Sequence, residues 1–276
     1  MKTDRRSAKT QGFEGWDDYA PFYDWENART LGRRDVPFWT TVARNAGGRV
    51  LELGCGTGRI ALPLGRAGVS LVGIDRSEAM LAKARTRVAR SKLQKRVRLV
   101  RGDIRTLPFR AGKGFAAVLA PYGVLQSLLR ERDLAATLQA VHAVLPKGGT
   151  FGLELVADLP SWEEYRKRVS LKGWRTQRGG AHVTLVETVR QDRRRHLTIF
   201  DQAFTERHGR TRRTRRFSLT FRTLSVPQMT RRLEKAGFEV TAVLGDYQGG
   251  PWDRRAEVWI VLARKKTASA PPRTAR

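Results

Sequence analysis

Between residues 48 and 157, short apolar runs alternate with longer segments whose apolar residues recur every three to four positions. Val50-Leu51-Glu52-Leu53 is flanked by glycines on both sides and reads as a short buried strand. The spacing then predicts a helix over 60–67, a strand over 70–74, a helix over 77–91, strands over 97–100 and 115–120, a helix over 133–145 and a strand over 151–156. Ser77 suits an N-cap, and Pro146-Lys147-Gly148-Gly149 ends the last of these helices. Such alternation needs crossover connections, and so a mostly parallel sheet with helices on both faces.

After residue 158 the period changes. A helix is expected around 162–169, followed by three segments of period-two alternation, 182–189, 196–204 and 216–224, separated by arginine-rich turns. These predict an antiparallel sheet inserted into the α/β unit, placed as a lid because it leaves the core after the fifth strand and returns before the closing helix. A helix over 227–236, closed by Gly237, and strands over 238–245 and 256–263 complete the core with an antiparallel hairpin. Ahead of the core, Trp16, Tyr19, Phe22, Tyr23, Trp25, Phe38 and Trp39 stand at helical spacings and predict two short helices. The expected organisation is an N-terminal helical cap (1–47), an α/β Rossmann-like doubly wound core (48–157 plus 226–264), an antiparallel β lid (158–225), a frayed start over 1–12 and a disordered tail (265–276).

A chain of 276 residues with 40% hydrophobic content can bury a substantial core, while 29% charged residues imply a heavily solvated surface. There is no run of eighteen apolar residues and no charged-then-apolar start, so neither a membrane span nor a secretory signal is expected and the location expected is cytoplasmic. Cys55 is alone, which excludes an internal disulfide, and His142, His182, His196 and His208 lack ligand spacing, so no metal site is expected. The net charge of +28 would attract polyanions such as RNA. Arginines outnumber lysines 42 to 12, a skew that codon bias in a GC-rich genome also produces, and both accounts stand at this level.

The chemistry is concentrated at the predicted strand ends. Gly54-Cys55-Gly56-Thr57-Gly58 turns directly from a strand into a helix, which lets backbone amides approach a ligand. Its spacing is tighter than the Gly-x-Gly-x-x-Gly of dinucleotide sites and suits a ligand without a pyrophosphate. Glu52, just before the turn, can meet an ammonium group. Asp75, 17 residues beyond Gly58, can accept both hydroxyls of a ribose, and Asp103 can accept an exocyclic adenine amine.

Val50-Leu51-Glu52-Leu53-Gly54-Cys55-Gly56-Thr57-Gly58 resembles motif I of the class I S-adenosylmethionine methyltransferases. The likeness continues through Gly73-Ile74-Asp75, Ser77-Glu78-Ala79-Met80-Leu81, Gly102-Asp103-Ile104 and Leu145-Pro146-Lys147-Gly148-Gly149, and covers roughly 48–157, with 226–263 also fitting. The resemblance implies that S-adenosylmethionine is the cofactor, with Glu52, Gly54, Cys55, Gly56, Thr57 and Gly58 around its methionine end. It implies Asp75 on the ribose, Arg76 and Met80 flanking the adenine, Asp103 with Ile104 on its far side, and Pro121 beside the methyl. Tyr19-Ala20-Pro21-Phe22-Tyr23-Asp24 resembles the small-molecule subgroup, in which such a helix closes over the cofactor and a tyrosine, here Tyr23, reaches it.

Methyl transfer from a sulfonium needs alignment more than acid or base groups, so the lack of a catalytic triad or metal is no objection. The fourth strand ends in Leu119-Ala120-Pro121-Tyr122, without the Asp or Asn that orients a base amine in nucleic-acid amino-methyltransferases. Tyr122 and Gln126 are expected near the acceptor, Gln126 with solvated-helix placement as its alternative, and Arg33 either neutralises a carboxylate or sits in solvent. No catalytic residue is assigned. The expected activity is methyl transfer to a small-molecule acceptor. The alternatives are an RNA or polyanion methyltransferase that uses the ten arginines between Arg190 and Arg216 as a basic stripe, and a non-catalytic binder of cofactor or nucleic acid. Monomer and homodimer are both compatible with the sequence.

Overall fold

The structure is a computed structural model that describes residues 15–112, 114–156, 164–175, 180–256 and 258–267. Expectations for 1–12, and for the tail from 268 onward, lie outside the described residues. Two helices, α1 (Trp16–Asn27) and α2 (Val36–Asn45), precede the core. The core then runs β1 (Val50–Leu53), α3 (Ala61–Arg66), β2 (Leu71–Asp75), α4 (Glu78–Arg90), β3 (Val97–Arg101), β4 (Ala117–Ala120), α5 (Glu131–Val144) and β5 (Thr150–Val156). Four long strands follow, β6 (Tyr165–Arg175), β7 (Ala181–Asp192), β8 (Leu197–His208) and β9 (Thr211–Arg222), and the chain closes with α6 (Val226–Lys235), β10 (Phe238–Leu244) and β11 (Val258–Lys265).

The core is a seven-stranded sheet in the order β10-β11-β5-β4-β1-β2-β3. β1 pairs in parallel with both β2 and β4, and β11 runs antiparallel between β5 and β10. Every residue of β1 and β4 is buried, as expected of central strands covered on both faces. Leu134, Leu138 and Val141 of α5 and Met229 and Leu233 of α6 cover one face; Trp39, Ala61, Leu64 and Val88 from α2, α3 and α4 cover the other. Sheet order reverses at β1, with β2 on one side and β4 on the other, so a crevice opens beyond the carboxyl end of β1 where parallel sheets bind ligands.

The second sheet, β6-β7-β8-β9, is antiparallel throughout. Its inner face presents Val183, Leu185, Phe204, Phe217 and Leu219 to Tyr19, Phe22 and Trp25 of α1, so the cap helix is sandwiched between lid and core. Phe22 stacks on Phe204 with ring centroids 4.4 Å apart. Asp24 anchors the other side of α1, bound by Arg87 at 2.7 Å and by the Thr57 hydroxyl at 2.6 Å.

Two expectations need correction. The helix expected around 162–169 is not formed: residues 165–169 begin strand β6, while 162 and 163 lie outside the described residues. Tyr165 and Val169 do fall at a helical interval, but pairing with β7, across two register shifts, satisfies the backbone instead. The lid therefore has four strands rather than three. Lys265, expected in the tail, ends β11, and its ammonium donates to the carbonyls of His142 and Leu145 at the C-terminus of α5.

Candidate active site

A cavity of about 360 Å³ lies at the carboxyl end of β1, lined by Glu52, Gly54, Cys55 and Gly56, by Asp75, Arg76 and Met80, and by Asp103, Ile104, Pro121, Tyr122 and Tyr23. The sequence places all of these at the cofactor or acceptor, although they are drawn from five separate stretches of chain. Trp16 and Asp17 of α1 and Phe221 of β9 close the remaining side.

The glycine turn is built by conformation. Gly54 has φ +61° and Gly56 φ +53°, the left-handed region that side chains avoid, and a Cβ on Gly54 would lie 2.3 Å from a Val124 methyl. Asp75 holds the turn from β2: its Oδ2 accepts the Gly56 N–H at 2.7 Å and its Oδ1 accepts the Ser77 N–H at 2.8 Å. Burial raises the Asp75 pKa, and these backbone donors oppose the shift.

Glu52 is 2% exposed, and its Oε2 is buried without a hydrogen-bond partner among the described residues. Burial pushes its pKa up to about 8 against the nearby Arg59 guanidinium. An orphaned carboxylate oxygen beside the glycine turn is what the ammonium end of an amino acid would complete. At the far end, Asp103 is bound by Arg105 at 2.7 Å and by Arg76 at 3.1 Å, which hold its pKa below the usual carboxylate range. The residues present fit S-adenosylmethionine in kind: Glu52 and the turn could take the methionine end, Asp75 the ribose, and Arg76, Met80, Asp103 and Ile104 the base.

The Tyr122 side of the cavity is organised by Arg59, which the sequence pattern does not single out. Its guanidinium makes a two-pronged bond to Asp35, at 2.6 and 2.8 Å, with Asp35 fully buried, and lies 5.2 Å from the Tyr122 ring centroid. Tyr122 itself has φ +56°, an uncommon conformation for a side-chain-bearing residue. Its N–H donates to Glu154 at 3.2 Å, and Glu154 also accepts the Tyr247 hydroxyl at 2.9 Å. Burial raises the Glu154 carboxyl to about 7.

Four expected residues stand elsewhere. Thr57 does not line the cavity, because its hydroxyl is spent on Asp24. Gly58, at φ +81°, packs the turn onto Leu62 of α3. Gln126 is 3% exposed and lines neither the cavity nor the surface: it accepts the Val156 N–H at 2.7 Å and donates to the Val156 and Arg222 carbonyls, so it bolts the lid to β5. Arg33 is exposed in a separate groove with Asp24, Arg66 and Arg87.

Residues 50–149 match the family model described as a methyltransferase domain. Over 235 residues the chain is 28% identical to the cypemycin N-terminal methyltransferase of a Streptomyces species, covering 82% of this chain and 88% of that one. Further curated relatives match over about half their length, 43% to 54%. Among solved structures, an S-adenosylmethionine-dependent methyltransferase from Clostridium acetobutylicum has the same fold, with a TM-score of 0.74 at 16% identity over 91% of this chain and all of that one. The cofactor-bound amino pentose methyltransferase CalS10 from Micromonospora echinaspora also shares the fold, with a TM-score of 0.67 at 22% identity, covering 89% and 97% of the two chains. Domain match and pocket coincide on the same strand ends: residues 50–149 form a methyltransferase domain, and the chain shares its fold with S-adenosylmethionine-dependent methyltransferases.

Proposed function

We propose that this enzyme transfers the methyl group to a small-molecule acceptor held between α1, the Pro121-Tyr122 turn and the inner face of the lid. The observation that carries this reading is the enclosure of the cavity: Trp16, Tyr23 and Phe221 complete its wall with side chains from the cap and the lid. The cofactor, when bound, supplies an activated methyl on a sulfonium. The residues of the chain then align and exclude water: Asp75 fixes the turn, Arg59 and Glu154 fix Tyr122 from either side, and Met80 and the aromatic residues keep the cavity apolar. Proteins similar to this chain that are named as a cypemycin N-terminal methyltransferase and an amino pentose methyltransferase agree with a modest acceptor.

The arginine-rich lid gives the polyanion alternative less support than the sequence promised. Arg193, Arg194 and Arg195 occupy the β7–β8 turn, whereas Arg210, Arg212 and Arg213 cluster at the β8–β9 turn, at the opposite end of a strand 12 residues long. At about 3.3 Å per residue the two groups are separated by roughly 35 Å. Neighbouring arginines on β9 also alternate between faces, so no continuous stripe forms. Exposed charge along β9, an edge strand, also serves to block edge-to-edge pairing.

A labelled-methyl transfer screen over separate pools of small molecules and RNA tests the proposal. Label in small molecules, with turnover nearly indifferent to added salt, is expected. Label confined to RNA and falling steeply with salt would overturn it.

A further inference from the structure

On the acceptor side, behind Tyr23 and Tyr122, is a group of carboxylates that cofactor binding does not use. Glu26 of α1 accepts the Tyr19 hydroxyl on Oε2 and the Gln202 Nε2–H on Oε1, the latter at 3.1 Å. The same Nε2 donates to Glu187 Oε2 at 2.7 Å. A single amide therefore bridges two carboxylates. Glu187 is 8% exposed and Gln202 4%, and the Gln202 Oε1 is buried with no donor among the described residues. The amide cannot be reversed to satisfy that oxygen without turning it onto the carboxylates.

What this cluster lacks is a cation. Two other buried acids are paired, Asp35 with Arg59 and Glu206 with Arg175, yet among the described residues no lysine or arginine forms an ion pair with Glu26 or Glu187. The groups facing Glu26 are Tyr19 on its own helix, Glu187 and Gln202 from the lid, and Tyr122 from the β4 turn, with Tyr165 on the far side of Glu187. All of these are acceptors, neutral donors or like charges. Burial first, and then Glu187, raise the Glu26 carboxyl to about 7. A partner bringing positive charge and several N–H donors at once would satisfy both carboxylates and the orphaned amide oxygen. An alcohol brings one donor and no charge, and an anion would be repelled. Tyr19, bonded to Glu26, packs edge-on against the cavity-lining Tyr23 with ring centroids 6.1 Å apart, and the Glu26 charge also acts on Tyr122, so the cluster stands behind these two wall residues rather than in the wall itself.

We propose that the acceptor carries a protonated amine and that Glu26, Glu187 and Gln202 receive it. This rests on the small-molecule reading and names the class of molecule. The test uses protein saturated with S-adenosylhomocysteine and two isosteric probes, 2-phenylethylamine and 2-phenylethanol, titrated calorimetrically at mildly alkaline pH. The amine is expected to bind about tenfold or more tightly than the alcohol. That preference should collapse in Glu26→Gln and in Glu187→Gln, each checked for unchanged S-adenosylhomocysteine affinity. Equal affinities, binding of neither probe, or an amine preference that survives in both folded variants would overturn the proposal. The wild-type comparison needs no variant, so the test holds even where a substitution misfolds. Because cofactor affinity is measured on the same sample, loss of the amine site is separable from failure of the methyltransferase reading itself.

Discussion

The Gly56 amide donates to the Asp75 carboxylate across 2.7 Å, joining the turn after β1 to the end of β2. This bond makes one carboxylate responsible for the shape of the turn as well as for the ribose expected beside it. Asp75 Oδ1 is likewise held by Ser77, so the side chain has a single orientation before any ligand arrives.

Gly54 is the position where the cavity tolerates least. Gly54→Ala adds a methyl in a left-handed backbone and drives it toward Val124, so the turn or the 3-10 segment Val124–Ser127 must move. Left-handed strain alone costs about 1–2 kcal/mol. Cofactor affinity should fall about tenfold or more, with a smaller change in melting temperature; calorimetry and thermal unfolding on one preparation check both.

Arg59→Ala would leave Asp35 buried without its partner. Breaking a pair of this kind costs about 3–5 kcal/mol, which thermal or urea unfolding would read directly. Arg59→Lys should recover only part of this, because an ammonium cannot reproduce the two-pronged bond to Asp35.

Most of the cavity wall beyond β1 is legible in the sequence, because strand, turn and carboxylate follow one another within a few residues: Val50 to Gly58, then Gly73 to Asp75. Arg59 is not, although it directly follows Gly58, since its meaning comes from Asp35, 24 positions earlier, and from Tyr122 across the cavity. Gln126 escapes for the same reason: an amide in a short apolar stretch looks solvent-facing or substrate-facing until Val156 and Arg222 close around it. The first lid strand reads as a helix because an interval of four residues between Tyr165 and Val169 fits either state, and only pairing with β7 decides. The Glu26–Gln202–Glu187 bridge joins residues 176 positions apart and has no local signature.

Glu52 gives a pH dependence with a definite sign. Its carboxyl is raised from 4.5 to about 8, so the folded protein holds a proton that the unfolded chain releases, and this contribution to stability is lost as pH rises from about 4.5 through 8. Glu52→Gln should flatten the decline in melting temperature over that range. The ammonium of a bound cofactor favours the ionised carboxylate, so binding near neutral pH should release a proton. Calorimetry in two buffers of different ionisation enthalpy would detect it, and identical heats in both would contradict the assignment of Glu52.

The central claim is that the crevice beyond β1 holds S-adenosylmethionine through the glycine turn and Asp75. Titration of the wild-type protein and of Asp75→Ala with S-adenosylmethionine tests it most directly. One-to-one binding to the wild type is expected, weakened by roughly a hundredfold in the variant through loss of charge-assisted bonds and of the turn's brace. Absence of binding to the folded wild type, or equal affinity in both proteins, would contradict it.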